Sequence, residues 1–192
     1  MKALGDNVTH GVIGALSWCV VSVSPLNSLL SSIKASWRLI VLAGVISSVM
    51  DVDHFIQAGS LDLQAATSLK TRPFLHCSLL PSLYLLVSVV VGFISNKISI
   101  VTQVGRRSRG RQPLTHLFQG VLVFSSFFSH HLRDGSRRGI WVVSDLSIPL
   151  SYSGYIALTL ILPLCYKVFL DLICDKYFKS HRSTDNAAAF VV

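Results

Sequence analysis

The chain has 192 residues, a formal charge of +8 at pH 7 and a mean hydropathy of +0.58, with 51% hydrophobic and only 14% charged residues. Typical globular chains are about 25% charged, so this composition argues against an ordinary soluble domain. Apolar blocks near 20 residues recur, a length that spans about 30 Å of hydrocarbon as a helix, and the class expected is an all-α, polytopic membrane protein.

Five spans are expected in chain order. The first is Val8–Ser24, closed by Pro25; a cleaved signal peptide is the other reading, although Asp6 and His10 fit one poorly. The second is approximately Trp37–Phe55. The third, Phe74–Ser95, follows Pro73, a good first helical position. The fourth, Leu114–Asp134, follows Pro113. The fifth, Ser153–Cys174, is interrupted by Pro163 and Lys167. Residues 1–178 form one membrane domain on this reading, and 179–192 form a disordered tail.

Cysteine and charge add little. Cys19, Cys77, Cys165 and Cys174 show no paired spacing, so neither a disulfide framework nor a zinc knuckle is indicated. Glu is absent, and the basic residues lie mainly between apolar blocks. There they read as topology signals, with Arg106, Arg107, Arg109 and Arg111 as a contact for anionic lipid of the bilayer. That same loop has no interleaved aromatics, and nucleic acid is not expected as a partner.

Threading the spans through a bilayer gives the strongest signal. His10 opens the first span on one side. Asp51, Asp53 and His54 close the second there, His76 opens the third, and His130, His131 and Asp134 close the fourth. The basic loop at 106–111 falls on the opposite side, which the excess of Lys and Arg marks as cytoplasmic. His116 lies 14 residues before His130, about 21 Å along a helix, and stands apart from the cluster.

Ionisable groups at membrane depth are costly and either pair with one another or serve a function. At 100° per residue, Asp51 and His54 share a helix face, and Asp134 reaches either His130 or His131. His76, in the first turn of its expected helix, is kept neutral by the positive end of the macrodipole. Neutral imidazoles with carboxylates suit a divalent metal, zinc or manganese first. The metal candidates are His10, Asp51, Asp53, His54, His76, His130 and Asp134. Asp53 or Asp134 is the candidate general base, and Arg72 is the candidate partner for a substrate phosphate.

The blocks "THGVIG" (Thr9–Gly14), "SVMDVDHF" (Ser48–Phe55), "RPFLHCS" (Arg72–Ser78) and "SHHLRDGSRRGIW" (Ser129–Trp141) resemble the transmembrane protein 267 family of eukaryotic multipass membrane proteins. The resemblance runs from about Asp6 to Trp141. Vertebrate members usually carry an additional N-terminal segment, which this chain lacks or begins after. The order of an early His, "D.DH", Arg followed by His, and "H...D" also resembles the bacterial YdjM-like inner-membrane, metal-dependent hydrolases. That group is similar in turn to zinc-dependent phospholipase C and single-strand nucleases. What the resemblance implies is a metal site on the residues named above and a phosphoester-type substrate.

Three functions follow as expectations. The first is metal-dependent hydrolysis of a lipid or phosphoester. The second is a non-catalytic membrane scaffold or adaptor that keeps a structural metal. The third is a proton or cation transporter, disfavoured because the polar groups gather at one face instead of being spaced through the membrane.

Overall fold

The computed structural model describes residues 2–23, 29–102, 112–143 and 146–189, with side chains at 5–23, 32–95, 115–142 and 146–175. The basic loop with Arg106, Arg107, Arg109 and Arg111 lies outside the described residues. So do the side chains of 179–192, and the division at 178/179 stays a sequence expectation.

The fold is all-α. Helices α1 (Lys2–Ser22), α2 (Leu29–Val49), α5 (Leu79–Thr102), α6 (Gln112–Arg138) and α7 (Tyr152–Ala189) form a bundle. Two short helices, α3 (Val52–Ala58) and α4 (Leu63–Thr67), and a 3₁₀ turn at Phe74–His76 lie between α2 and α5. A small antiparallel hairpin, β1 (Ile140–Val143) with β2 (Leu146–Ile148), joins α6 to α7. The sequence reading contained no strand there.

Helix α6 is the axis, packing against α1, α2, α5 and α7. Towards its N-terminal half, Leu117, Val121 and Leu122 meet Trp18, Ala43 and Leu170 in the apolar core. Towards its C-terminal half the buried residues turn polar: Ser125, Ser126, Ser129, His130 and His131. Small residues let the helices close. A side chain on Gly44 would stand 2.9 Å from the Gly11 carbonyl oxygen, so α1 and α2 touch backbone to backbone at this crossing.

The outside of the bundle is apolar. Val8, Val12, Leu16 and Val20 form an exposed stripe on α1, and Val41, Val45 and Val49 form one on α2. Leu83, Leu86, Val90 and Phe93 do the same on α5, as do Ile156, Leu160, Leu164, Val168 and Leu172 on α7. Polar residues inside and apolar stripes outside are the arrangement that lipid favours.

The expected five spans are not all carried by length and composition. Among the described residues, two helical stretches are long and apolar enough to cross a membrane, Ser32–Ala58 and Tyr152–Asp175; Leu79–Ser95 is apolar but shorter. Helices α1 and α6 carry the polar residues of the interior, which lowers their hydropathy although those residues face other helices. Neither Pro163 nor Lys167 interrupts α7, where Lys167 Nζ pairs with Asp171 Oδ2 at 2.9 Å. Proline is tolerated in apolar helices whose neighbours satisfy the freed carbonyls.

Candidate metal centre

Four separate segments bring their polar residues together at one end of the bundle. His10 comes from α1, Asp51 from the turn between α2 and α3, His54 from α3, His76 from the 3₁₀ turn, and His130 and Asp134 from α6. Three overlapping groups of potential ligand atoms result, each lying within 4.8 Å: His10, Asp51 and His130; Asp51, His54 and His76; and His76, His130 and Asp134.

Local structure explains how each side chain is aimed. Asp51 occupies the N-cap position of α3, yet its carboxylate makes no capping bond. Aspartate there ordinarily accepts from the first turn; here Oδ2 takes a bond from the Asn7 amide at 3.4 Å, and Oδ1 faces the imidazoles. His54 Nδ1 donates to the Ala66 carbonyl at 3.1 Å, and His130 Nδ1 donates to the Ser47 carbonyl at 2.8 Å. Both bonds direct Nε2 into the cluster, and a backbone acceptor behind a ligating imidazole is the usual support for metal binding.

Asp53 stands behind His76. It is 1% exposed, and its Oδ2 accepts from the Leu75 amide at 2.9 Å and faces His76 Nδ1 at 3.3 Å. It therefore orients His76 and lies outside the three ligand groups. His76 itself ends a three-residue 3₁₀ turn instead of opening a helix. The macrodipole argument for a neutral ring does not hold there. Burial alone would lower this imidazole, but the carboxylates of Asp134, Asp51 and Asp53 outweigh it and lift His76 to about 11.

The distances suit a metal. His76 Nε2 and His130 Nε2 lie 3.1 Å apart, and each lies 3.5–3.7 Å from Asp51 Oδ1 and Asp134 Oδ2. Ligands held about 2.0–2.2 Å from a tetrahedral ion are spaced about 3.3–3.6 Å from one another. His10 stacks on His130 with ring centroids 3.8 Å apart, sets Nε2 3.4 Å from Asp134 Oδ1, and leaves a buried Nδ1 without a hydrogen-bond partner.

Neighbouring residues fix the frame. His131 donates from Nε2 to the Leu75 carbonyl at 3.1 Å and accepts the Ser78 hydroxyl on Nδ1 at 3.0 Å. With both nitrogens used, it is a brace for the loop ahead of α5. Asp6, which the sequence reading did not single out, binds Arg133 at 2.9 Å and Arg137 at 2.8 Å and ties α1 to α6. The two guanidiniums, Arg137 first, hold its carboxyl well below the usual carboxylate range against the opposing effect of burial. Arg72 donates from Nη1 to the Gly139 carbonyl at 3.0 Å and from Nη2 to the Arg138 carbonyl, closing the end of α6.

The cluster opens into a cavity of about 410 Å³, into which His10, Asp51, His54, His76, Asp134 and Arg72 project; Asp53 does not line it. The four described cysteines are free, and none belongs to the ligand groups.

No family model and no solved structure matches the chain. Curated relatives do. The chain is 39% identical to transmembrane protein 267 of Mus musculus, 36% to that of Bos taurus and 35% to that of Danio rerio, in each case over 85% of its own length. It spans 64–66% of the length of these relatives, slightly less than two thirds. Their shared name and the two long apolar helices agree on membrane association. Identity at this level over so much of the chain supports its place in the transmembrane protein 267 family.

Proposed function

We propose that the chain is a multi-pass membrane protein in which α1, the α2–α3 stretch, α5, α6 and α7 cross the bilayer. Its His/Asp cluster holds a divalent metal, zinc or manganese, at one face and hydrolyses a lipid or other phosphoester. The outward apolar stripes on α1, α2, α5 and α7 support four of the crossings, and α6 runs as the axis packed against these four helices. The basic loop at 106–111 falls on the opposite face and meets anionic headgroups there.

One observation carries the metal reading. The Nδ1 atoms of His76 and His130 are committed to Asp53 and to the Ser47 carbonyl, so their Nε2 lone pairs converge at 3.1 Å with two carboxylates beside them. Such a set requires a positive charge at its centre. His76, His130, Asp51 and Asp134 would hold the ion, with His10 and His54 as flanking ligands. A divalent ion bound there would supply a Lewis acid for a phosphoryl or acyl oxygen and would lower the pKa of a water.

The protein's own part is positioning and proton transfer. Asp134 lines the cavity with Oδ2 toward His76 and Oδ1 toward His10, so its oxygen left free by the ion is the general base of choice over Asp53. Asp53 keeps His76 in the rotamer and tautomer that present Nε2. The similarity of the motif order to YdjM-like metal-dependent hydrolases supports the same reaction class.

A structural metal is the second reading, favoured by the way the ligands tie together four segments far apart in sequence. Transport has no comparable support. Element measurement on detergent-purified full chain tests the metal. Bound zinc or manganese near stoichiometry, abolished in His130→Ala and Asp51→Asn, is expected; negligible metal in the unaltered protein overturns the reading. Turnover of phosphoester substrates by the metal-loaded protein separates enzyme from scaffold, and a loaded protein without turnover leaves the structural reading.

A further inference from the structure

Three arginines stand around the mouth of the cavity, and two are already engaged. Arg137 is spent on Asp6, with contacts of 2.9 and 2.8 Å, and Arg72 gives its outer nitrogens to the carbonyls of Arg138 and Gly139. Arg138 is different. It is exposed and lines the cavity, and among the described residues no carboxylate or carbonyl accepts from its guanidinium. Burial, and then the like charge of Arg138, weaken the hold of Arg72 on its proton. Two guanidiniums kept side by side without a shared anion repel each other.

The floor of the same cavity carries Asp51 and Asp134, which would repel an anion if left uncompensated. A metal ion reverses that sign. Arg138 lines the same cavity as these carboxylates and imidazoles, and a tetrahedral anion has oxygens for both an ion and a guanidinium. We infer that Arg138 is the anion-recognition residue of this cavity and takes the phosphate group of a phosphomonoester or phosphodiester. The inference rests on the metal reading and deepens it by naming where the phosphate is held. Guanidinium suits this group because its planar fork matches two phosphate oxygens at once, which an ammonium cannot do.

The phosphate could belong to a lipid headgroup or to a soluble ester. Exposed Leu63 lines the cavity, and exposed Ile56 and Phe74 directly follow its lining residues Phe55 and Pro73, which gives a lipid tail apolar surface beside the site. The recognition chemistry is the same for both.

The test uses the full chain, loaded with zinc, in nanodiscs of phosphatidylcholine, titrated with inorganic phosphate by calorimetry. Metal content is measured on each sample. Arg138→Gln is expected to weaken phosphate binding by about tenfold or more, the loss of a charge-assisted bond pair, at unchanged metal content. Arg138→Lys is expected to fall between the two. Phosphatidic acid in the disc that competes with inorganic phosphate assigns the site to a lipid headgroup; absence of competition assigns it to a soluble ester. Binding in Arg138→Gln within about twofold of the unaltered protein, or no binding by loaded protein, overturns the inference and leaves the metal reading standing. If no metal loads, the metal reading fails, and the inference falls with it, because Asp51 and Asp134 are then left uncompensated.

Discussion

His76 and His130 face each other through their Nε2 atoms at 3.1 Å, although they lie 54 residues apart in sequence. Each ring is locked from behind, by the Asp53 carboxylate and by the Ser47 carbonyl. A proton or a metal ion can compensate this convergence, and the two compete for it. Metal affinity is therefore expected to rise with pH, by up to about tenfold per unit below the His76 value of about 11. Competition titration with a chromophoric chelator at pH 6, 7 and 8 reads the slope. A flat profile would show that no proton leaves the site on binding.

Adjacent histidines are expected to behave differently. His130→Ala removes a ligand and should abolish metal binding. His131→Ala deletes two buried hydrogen bonds, to Leu75 and Ser78, and should cost about 1–3 kcal/mol of stability while the metal stays. Thermal melts and element content on the two purified variants check both halves.

Asp53→Asn keeps the size of the side chain and removes its charge. Metal binding is expected to weaken by about 10–100-fold, the usual effect of losing a carboxylate behind a ligating imidazole. Asp51→Asn should cost more, because Asp51 faces the ion directly. Equal losses in the two variants would mean that Asp53 is itself a ligand.

Gly44→Val should separate α1 from α2, since even a single added carbon would stand 2.9 Å from the Gly11 carbonyl oxygen. About 1–3 kcal/mol of destabilisation is expected for forcing extra volume into such a contact. His10 should retreat from Asp134 as α1 moves, with partial loss of metal. A conservative Val45→Leu on the exposed face of the same helix should change neither.

The Asp6 clamp predicts a pH dependence of a defined sign. Its folded carboxyl lies below the unfolded value of about 3.9, held there by Arg137 and Arg133. Its stabilisation is fully present above that value and is lost as pH falls through the folded one. Asp6 and Arg133 are partly buried and Arg137 is about half exposed, so solvent screening holds the contribution to about 1 kcal/mol or less. The difference in melting temperature between the unaltered protein and Asp6→Asn should be constant from about pH 7 to 5 and narrow below about 4. A difference that widens in acid would refute the clamp.

Much of the site was legible because residue type and threading sufficed. Placing His10, the "DVDH" helix end, His76 and "HH..D" on one face needed only the alternation of spans, and the structure brings His10, Asp51, His54, His76, His130 and Asp134 together. Depth within the cluster was not legible. Asp51 and Asp53 differ by two positions, and only the turn at the end of α2 decides that one faces the cavity and the other backs His76. His130 and His131 look equivalent until the carbonyls of Ser47 and Leu75 are located. His76 was misread because Pro73 suggested a helix start where the chain makes a single 3₁₀ turn. Length and composition alone carry two of the five expected spans among the described residues, because hydropathy along one chain does not reveal which polar residues of α1 and α6 face their neighbours.

The clamp at Asp6 and the ligands at His10 and Asp134 bear on how the protein is made. The first ligand leaves the ribosome long before the last, and no nascent chain shorter than Asp134 possesses a complete set. On the proposed metal reading, Asp51, His54 and His76 are available earlier, but the full set with His130 and Asp134 would form only after α6 has joined the earlier helices. Occupancy then reports finished assembly, and a chain truncated between α5 and α6 would present unpaired imidazoles and carboxylates to the machinery that culls unfinished membrane proteins.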